Sequence, residues 1–246
     1  MDKALPVMLR SLRLPTFVDH YEQFAATATD KAWSYEHYLA KLSELEMARR
    51  YESRIAKWSR DAKLPPGKSF ETLTVKELPA EVQKQVIALR DSHQWALQAH
   101  NVLLIGPSGV GKSHIAAALA QQLIERGVRA RWMTATALVQ HLQQARQELD
   151  LMTAMTRFDK YRVMILDDIG YVRKTDAETQ VLFEFIAHRY ESGSLIVTSN
   201  QPFSQWDQIF PDALMTVAAI DRIIHHATII EIDTDSYRRK EQKKKK

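Results

Sequence analysis

Residues 106–113, Gly-Pro-Ser-Gly-Val-Gly-Lys-Ser, fit the pattern G-x-x-x-x-G-K-[ST] at every position. The flanks make this octapeptide a constraint on the fold. The apolar run Val102-Leu103-Leu104-Ile105 leads directly into it, and an alanine-rich helical run, His114 to Arg126, leads directly out. A strand–loop–helix unit of this kind turns backbone N–H groups inward at a helix N-terminus, which is what a group bearing several negative charges requires. Gly106 and Gly111 permit the close turn, and Gly109 adds backbone freedom between them. The pattern therefore predicts a nucleoside triphosphate held along Gly106, Pro107, Ser108, Gly109, Val110, Gly111, Lys112, Ser113 and His114. Lys112 is expected to reach the β- and γ-phosphates and the Ser113 hydroxyl to ligate Mg2+.

From residue 101 onward apolar strands alternate with amphipathic helices. Strands are expected at 101–105, 129–134, 162–168, 194–199 and 228–232, with helices at 113–126, 136–149, 176–191 and 212–226. Strands separated by helices imply parallel pairing, hence an α/β fold of three layers, helices on both faces of a parallel sheet. With 246 residues the chain has room for one such core and a smaller appendage.

The appendage is N-terminal. Leu5, Met8, Leu9, Leu12 and Leu14, then Phe17, Val18, Tyr21 and Phe24, form short amphipathic pieces separated by Pro15. A long helix follows from Trp33 to about Leu64, its second half crowded with Arg49, Arg50, Arg54, Lys57, Arg60 and Lys63. Two readings of that basic face stand side by side: a solvated helix surface, or a surface with Tyr51 and Trp58 suited to DNA backbone or an acidic partner. Leu64-Pro65-Pro66-Gly67-Lys68-Ser69 breaks the helix. The expected organisation is a helical domain over 1–64, a linker with a lead-in helix (Glu81 to His100) over 65–100, the α/β core over 101–233 and a basic tail over 234–246.

Charge and cysteine usage narrow the class. The net charge of +4 is concentrated at the end, where seven basic residues between Ser236 and Lys246 face one acid, Glu241. That tail carries +6, so the rest of the chain is near neutral at −2. A terminal block of this kind is a solvated tail or a salt-sensitive grip on nucleic-acid phosphates. No cysteine is present, which excludes disulfides and thiolate-held zinc and fits a reducing cytoplasm. No apolar run approaches the ~20 residues of a membrane span, and the N-terminus has no signal-peptide pattern, so no membrane association is expected. His93 and His100 have no further ligands at metal spacing, and neither do His225 and His226.

Two further stretches carry chemistry. Arg162-Val163-Met164-Ile165-Leu166-Asp167-Asp168 is an apolar strand ending in two carboxylates, at the edge where open α/β sheets bind ligands. Asp167 suits the role of holding Mg2+, through water or through Ser113, and Asp168 that of polarising an attacking water, with a loop or helix-capping acid as its alternative. Leu195-Ile196-Val197-Thr198-Ser199-Asn200 ends in an amide able to orient that water or sense the γ-phosphate, or simply to serve as the turn residue that ends the strand. In Ala218-Ala219-Ile220-Asp221-Arg222-Ile223-Ile224, Arg222 lies in an otherwise apolar helix and Asp221 cannot face it. It is either a snorkelling surface cation or an arginine finger offered to a neighbouring subunit.

Together these segments resemble the IstB-like family, ATP-binding helpers of insertion-sequence transposition within the helicase-loader clade of AAA+ ATPases. The resemblance runs over almost the whole chain and rests on NVLLIGPSGVGKSHIAAALA, LDDIGYV, AHRYESGSLIVTSNQPFSQWDQIF and IDRIIHHATIIEI, with SLRLPTFVDHYEQ and WSYEHYLA near the start. It implies a P-loop AAA+ core behind a small all-helical domain; as a departure from many AAA+ proteins, only a short basic tail follows the last strand at Ile232, so the C-terminal helical lid is expected to be absent. It also implies ATP and Mg2+ as cofactors, with Lys112, Ser113, Asp167, Asp168 and Asn200 serving them and Arg222 acting in trans. Further implications are ATP-dependent homo-oligomerisation on double-stranded DNA, bending of that DNA and delivery of the site to a cognate transposase. Arg131, Gln143, Arg146, Arg173 and Lys174 lie on segments that in related ATPases face a central DNA path. One departure is Asp168, where AAA+ proteins usually carry Glu, which implies slow hydrolysis awaiting DNA or a partner. Alternatives within reach of the same sequence are a replicative helicase loader acting on single-stranded DNA and a nucleotide-gated DNA scaffold with negligible turnover.

Overall fold

The computed structural model describes residues 4–170, 175–208 and 213–233. Arg173, Lys174 and the basic tail 234–246 lie outside the described residues. The chain divides into two compact units between Lys57 and Trp58.

The first unit contains α1 (Leu5–Ser11), α2 (Pro15–Asp30) and most of α3 (Tyr35–Ala62). Pro15 opens α2 at a position where its missing N–H costs nothing. The next donor, the Thr16 N–H, is taken at 3.0 Å by the buried carboxylate of Glu46 on α3. The other Glu46 oxygen accepts from Arg50 Nε at 2.6 Å, and Arg50 Nη2 donates to Arg13 O at 2.7 Å. Burial pushes the Glu46 carboxyl up, but the hydrogen bonds from Arg50 and Thr16 outweigh it and hold the group below its ordinary value. Arg49 pairs with Asp19 at 3.0 Å, and the Arg54 guanidinium lies 5.3 Å over the Tyr51 ring. Part of the basic face seen in the sequence is thus used inside this unit.

The division falls inside α3, not at the Pro65-Pro66 break that the sequence singles out. The reason is packing of the helix's last turn. Arg129 stacks 5.5 Å over Trp58 and lies 3.8 Å from Asp61, Arg131 donates to the Asp61 carbonyl, and Ala62 is fully buried.

The second unit continues with α4 (Ala80–Asp91), α5 (Gln94–Leu97), β1 (Asn101–Ile105), α6 (Lys112–Glu125), β2 (Ala130–Thr134), α7 (Ala135–Gln147), α8 (Leu151–Thr156) and β3 (Val163–Asp167). It closes with α9 (Asp176–Arg189), β4 (Ser194–Ser199), α10 (Ala213–Ile224) and β5 (Ala227–Glu231). The single lead-in helix expected over 81–100 is two helices. Ser92 is extended, its hydroxyl accepts from Gln94 N–H at 3.3 Å, and the buried Trp95 turns back to donate to Leu89 O at 3.1 Å. The short α8 carries no signal that the alternation of apolar residues announces; its buried Ala154 and Met155 join the core, with α8 packed against α7.

Among the described residues five strands form one sheet, all parallel, in the order β2-β3-β4-β1-β5. The three central strands are buried at every residue and the edge strands β2 and β5 only in part. That difference is the mark of a parallel sheet covered on both faces. Leu103, Met164, Leu166, Leu195 and Val197 belong to one buried cluster with α7, α9 and α10. The opposite layer is built on α6, whose alanines let it lie close against the sheet, with α4 beside it. Among the described residues no helix is long and apolar enough to cross a membrane.

Candidate nucleotide site

The site forms where β1 ends. Gly106 N–H donates to Ser199 O at 3.2 Å on one side, and Ile232 N–H donates to Ile105 O at 2.8 Å on the other. The loop therefore leaves the sheet between β4 and β5 with little room. A Cβ on Gly106, whose φ is +153°, would stand 2.3 Å from Ile232 O. Gly111 takes φ +100° immediately before α6 starts at Lys112. These two positions need glycine, for close approach in one case and for left-handed backbone in the other.

Lys112 is 5% exposed, and its ammonium donates to Gly106 O at 2.7 Å and Pro107 O at 2.8 Å. One residue on, Ser113 Oγ donates to Asp167 Oδ1 at 2.8 Å. Asp167 is the last residue of β3 and is itself buried, and its Oδ1 also accepts from Thr198 Oγ1 at 2.6 Å. Thr198 in turn accepts from the Asp168 N–H at 2.9 Å. A buried hydroxyl on β4 thus joins the Asp167 carboxylate, which holds Ser113, to the backbone of Asp168. Asp168 is half-buried with φ +57°, a left-handed conformation that Asp tolerates better than most residues and that recurs at functional sites.

Ser108, Gly109, Gly111, Lys112, Ser113, His114 and Asp168 line a cleft of about 370 Å3, a size suited to a small-molecule ligand. Its remaining walls are Lys68, Thr72, Leu73 and Thr74. These belong to the segment the sequence offers only as a linker. It is held by His114, whose Nε2 lies 3.0 Å from Ser69 O and 3.1 Å from Thr72 Oγ1.

Other expected site residues are placed elsewhere. Asn200 is exposed and lines a neighbouring recess with Gly106, Pro107 and Ile232, not the cleft holding Lys112 and Asp168. Arg222 is half-buried on α10, where Nη1 donates to Ala218 O at 2.9 Å and the guanidinium lies 5.3 Å over the Phe183 ring. The end of α10 leads to His226, whose carbonyl accepts from Asn101 N–H where β1 begins. Arg222 thus belongs to the opposite end of the strands from the phosphate loop. Arg131 is engaged by Asp61 O, Arg146 pairs with Glu184 on α9, and Gln143 is half-buried on α7. The polar Thr198 inside an apolar strand was the one sequence signal for the hydroxyl bridge, since a buried threonine needs a partner. Nothing local signalled the 68–74 wall.

A parallel sheet of this order, with a phosphate loop after β1 and paired acids at the end of β3, defines a P-loop ATPase of the AAA+ class. The fold is similar to that of the crystallised DnaI, with a TM-score of 0.57 at 21% identity over 68% of this chain and 91% of that one. In sequence, an insertion sequence ATP-binding protein of Sinorhizobium fredii is 46% identical over 98% of this chain and 81% of its own length. The insertion sequence IS21 ATP-binding protein of Pseudomonas aeruginosa is 32% identical over 98% of this chain and 90% of its own. Residues 7–245 match the IstB-like ATP binding protein family, and the chain belongs to that family.

Proposed function

We propose that this ATPase binds ATP with Mg2+ in the cleft beside Lys112, assembles with copies of itself on double-stranded DNA, bends that DNA and delivers it to the transposase of its insertion sequence. The observation that carries the reading is the chain Ser113–Asp167–Thr198–Asp168 beside a buried Lys112. The donors offered by Ser113 and Asp167 are hydroxyl and carboxylate oxygens, the set a hard cation takes, so these residues fit Mg2+. Once bound, the ion would supply positive charge to the phosphate oxygens.

The chain's own residues account for the rest. Loop N–H groups and the start of α6 cradle the phosphates, and Lys112 exchanges its two loop carbonyls for phosphate oxygens. Asp168, lining the cleft, orients and polarises a water, while Thr198 holds the Asp167 carboxylate and the Asp168 backbone in place. The shorter Asp168 carboxylate leaves hydrolysis slow until DNA or a partner improves the geometry. Arg222 cannot serve its own nucleotide from the far end of the strands, and we assign it to the nucleotide of an adjacent subunit. Asn200, beside Gly106 and Pro107, is assigned to sensing the loop's state. The helical region over 1–64 is assigned to oligomer, DNA or partner contacts, the lead-in over 65–100 to the cleft wall, and the core over 101–233 to ATP. DNA contacts are expected from Gln143, Arg173, Lys174 and the 234–246 tail, and from Arg131 and Arg146 only if they exchange their present partners. The expected compartment is the cytoplasm. Membership of an insertion-sequence family supports the DNA and transposase side of the proposal.

The test is binding to a labelled duplex and to the matching single strand with ATP, ADP or no nucleotide, recording assembly size. Large assemblies on duplex with ATP alone support the proposal. Preference for the single strand points to helicase loading instead, and binding indifferent to nucleotide refutes ATP-controlled assembly.

A further inference from the structure

The Asp-Arg-x-x-His-His stretch at the end of α10 leaves two histidines that the ATPase reading does not use. Their spacing offers no third ligand, but the fold supplies one. Glu191, on the turn after α9, comes to lie so that one ligand atom from each of Glu191, His225 and His226 is within 4.8 Å of the others. All three side chains are exposed, and the two imidazole rings are 4.1 Å apart.

The scaffold under this cluster is fixed from both sides. Buried Arg189 donates from Nη2 to Tyr161 O and Arg162 O, both at 3.0 Å, and the N–H groups of Ser192 and Gly193 donate to Arg189 O at 3.1 Å. The turn lies so close over this guanidinium that a Cβ on Gly193 would meet it at 2.0 Å. Glu191 is thus presented from a pinned turn, with φ +56°. On the other side, His226 O accepts from Asn101 N–H at 2.7 Å, locking the backbone to β1. The Tyr190 hydroxyl meets His225 Nδ1 at 2.8 Å, which helps to orient that ring.

We infer that Glu191, His225 and His226 form a binding site for a divalent first-row transition ion of the zinc class. Two imidazole nitrogens and one carboxylate oxygen suit Zn2+, Ni2+ or Cu2+, whereas Mg2+ and Ca2+ prefer oxygen alone. Donors around tetrahedral zinc, at about 2.0–2.1 Å from the ion, stand roughly 3.3 Å apart. The three exposed side chains must therefore close by about 1.5 Å at most, within reach of a rotamer adjustment. A fourth position stays open to water or to a donor from another molecule. The ion would join the end of α9 to the end of α10, one helical turn after Arg222, and it lies at the opposite end of β1 from the Ser113–Asp167 site.

The experiment uses the tag-free full-length protein, stripped with EDTA and free of nucleotide, titrated with Co2+ and then with Zn2+. The expected result is saturable binding of one Co2+ with visible absorption bands, displaced by Zn2+. Glu191→Gln, His225→Ala and His226→Ala should each weaken it tenfold or more, while Asp167→Asn leaves it unchanged. Unaltered far-ultraviolet circular dichroism shows that these exposed substitutions keep the fold. Absence of saturable binding overturns the inference, as does binding that survives the His225→Ala/His226→Ala double substitution.

Discussion

Replacing Thr198 by Val removes one buried hydroxyl and keeps the shape of the side chain. In the native protein that hydroxyl donates to Asp167 at 2.6 Å and accepts from the Asp168 N–H at 2.9 Å. A hydrogen bond to a charged group contributes about 1.5–3 kcal/mol, and the Asp168 N–H left without this acceptor adds a desolvation cost of roughly 1 kcal/mol. Together the substitution should destabilise the core by about 2–4 kcal/mol, a fall of roughly 5–15 °C in Tm for a chain of this size. If about half of that loss also appears in the hydrolysis barrier, kcat drops roughly five- to thirtyfold, since about 1.4 kcal/mol is a factor of ten. Lys112 and the loop amides are untouched, so the Kd for ATP should move by less than about threefold. Thr198→Ser restores the hydroxyl and should recover most of kcat. The assays are urea unfolding and steady-state ATPase at saturating ATP with duplex DNA. A Thr198→Val protein with wild-type kcat would refute the claim that this hydroxyl, through the Asp167 carboxylate and the Asp168 backbone, sets the two acids.

Lys112→Ala should weaken ATP binding and ATP-dependent assembly on DNA together; assembly with ATP that persists unchanged contradicts the central assignment. Arg222→Ala should leave nucleotide binding by the isolated chain intact and abolish DNA-stimulated hydrolysis. Mixing it with Asp168→Ala protein should restore part of the activity, because some interfaces then carry both intact residues, and no recovery at any ratio removes the trans assignment. Gly106→Ala places a methyl 2.3 Å from Ile232 O at a φ that L-residues avoid, so ATP affinity should fall at least tenfold by isothermal titration. Glu46→Gln should cost about 1–2 kcal/mol at pH 7 in urea unfolding. The folded-state pKa of Glu46 lies below its ordinary value of 4.5, so its contribution is complete above that value and is lost as pH falls through the folded one. The gap between wild type and Glu46→Gln should therefore close as pH drops below about 4.5, and a gap that persists unchanged at lower pH counts against the Glu46–Thr16–Arg50 arrangement.

The sequence by itself determined whatever depends on neighbours along the chain. Glycine spacing and an apolar run are local properties, so the phosphate loop, its strand and its helix were legible from residues 102–126. The five strands were legible for the same reason, as was the layered α/β class. Tertiary structure decided everything that required distant segments to meet. Thr198 reached Asp167 because β3 and β4 pair in parallel, and Lys68 to Thr74 became a wall of the cleft because His114 holds the segment there. Arg131 and Arg146, free-looking cations in the sequence, were turned to Asp61 and Glu184 by packing. Glu191 met His225 and His226 only because α9 and α10 end side by side, 34 positions apart in sequence between the acid and the first histidine. Local patterning sets which element a residue joins, but a side chain's partner is set by which elements pack, and that energy comes from burial across the whole core.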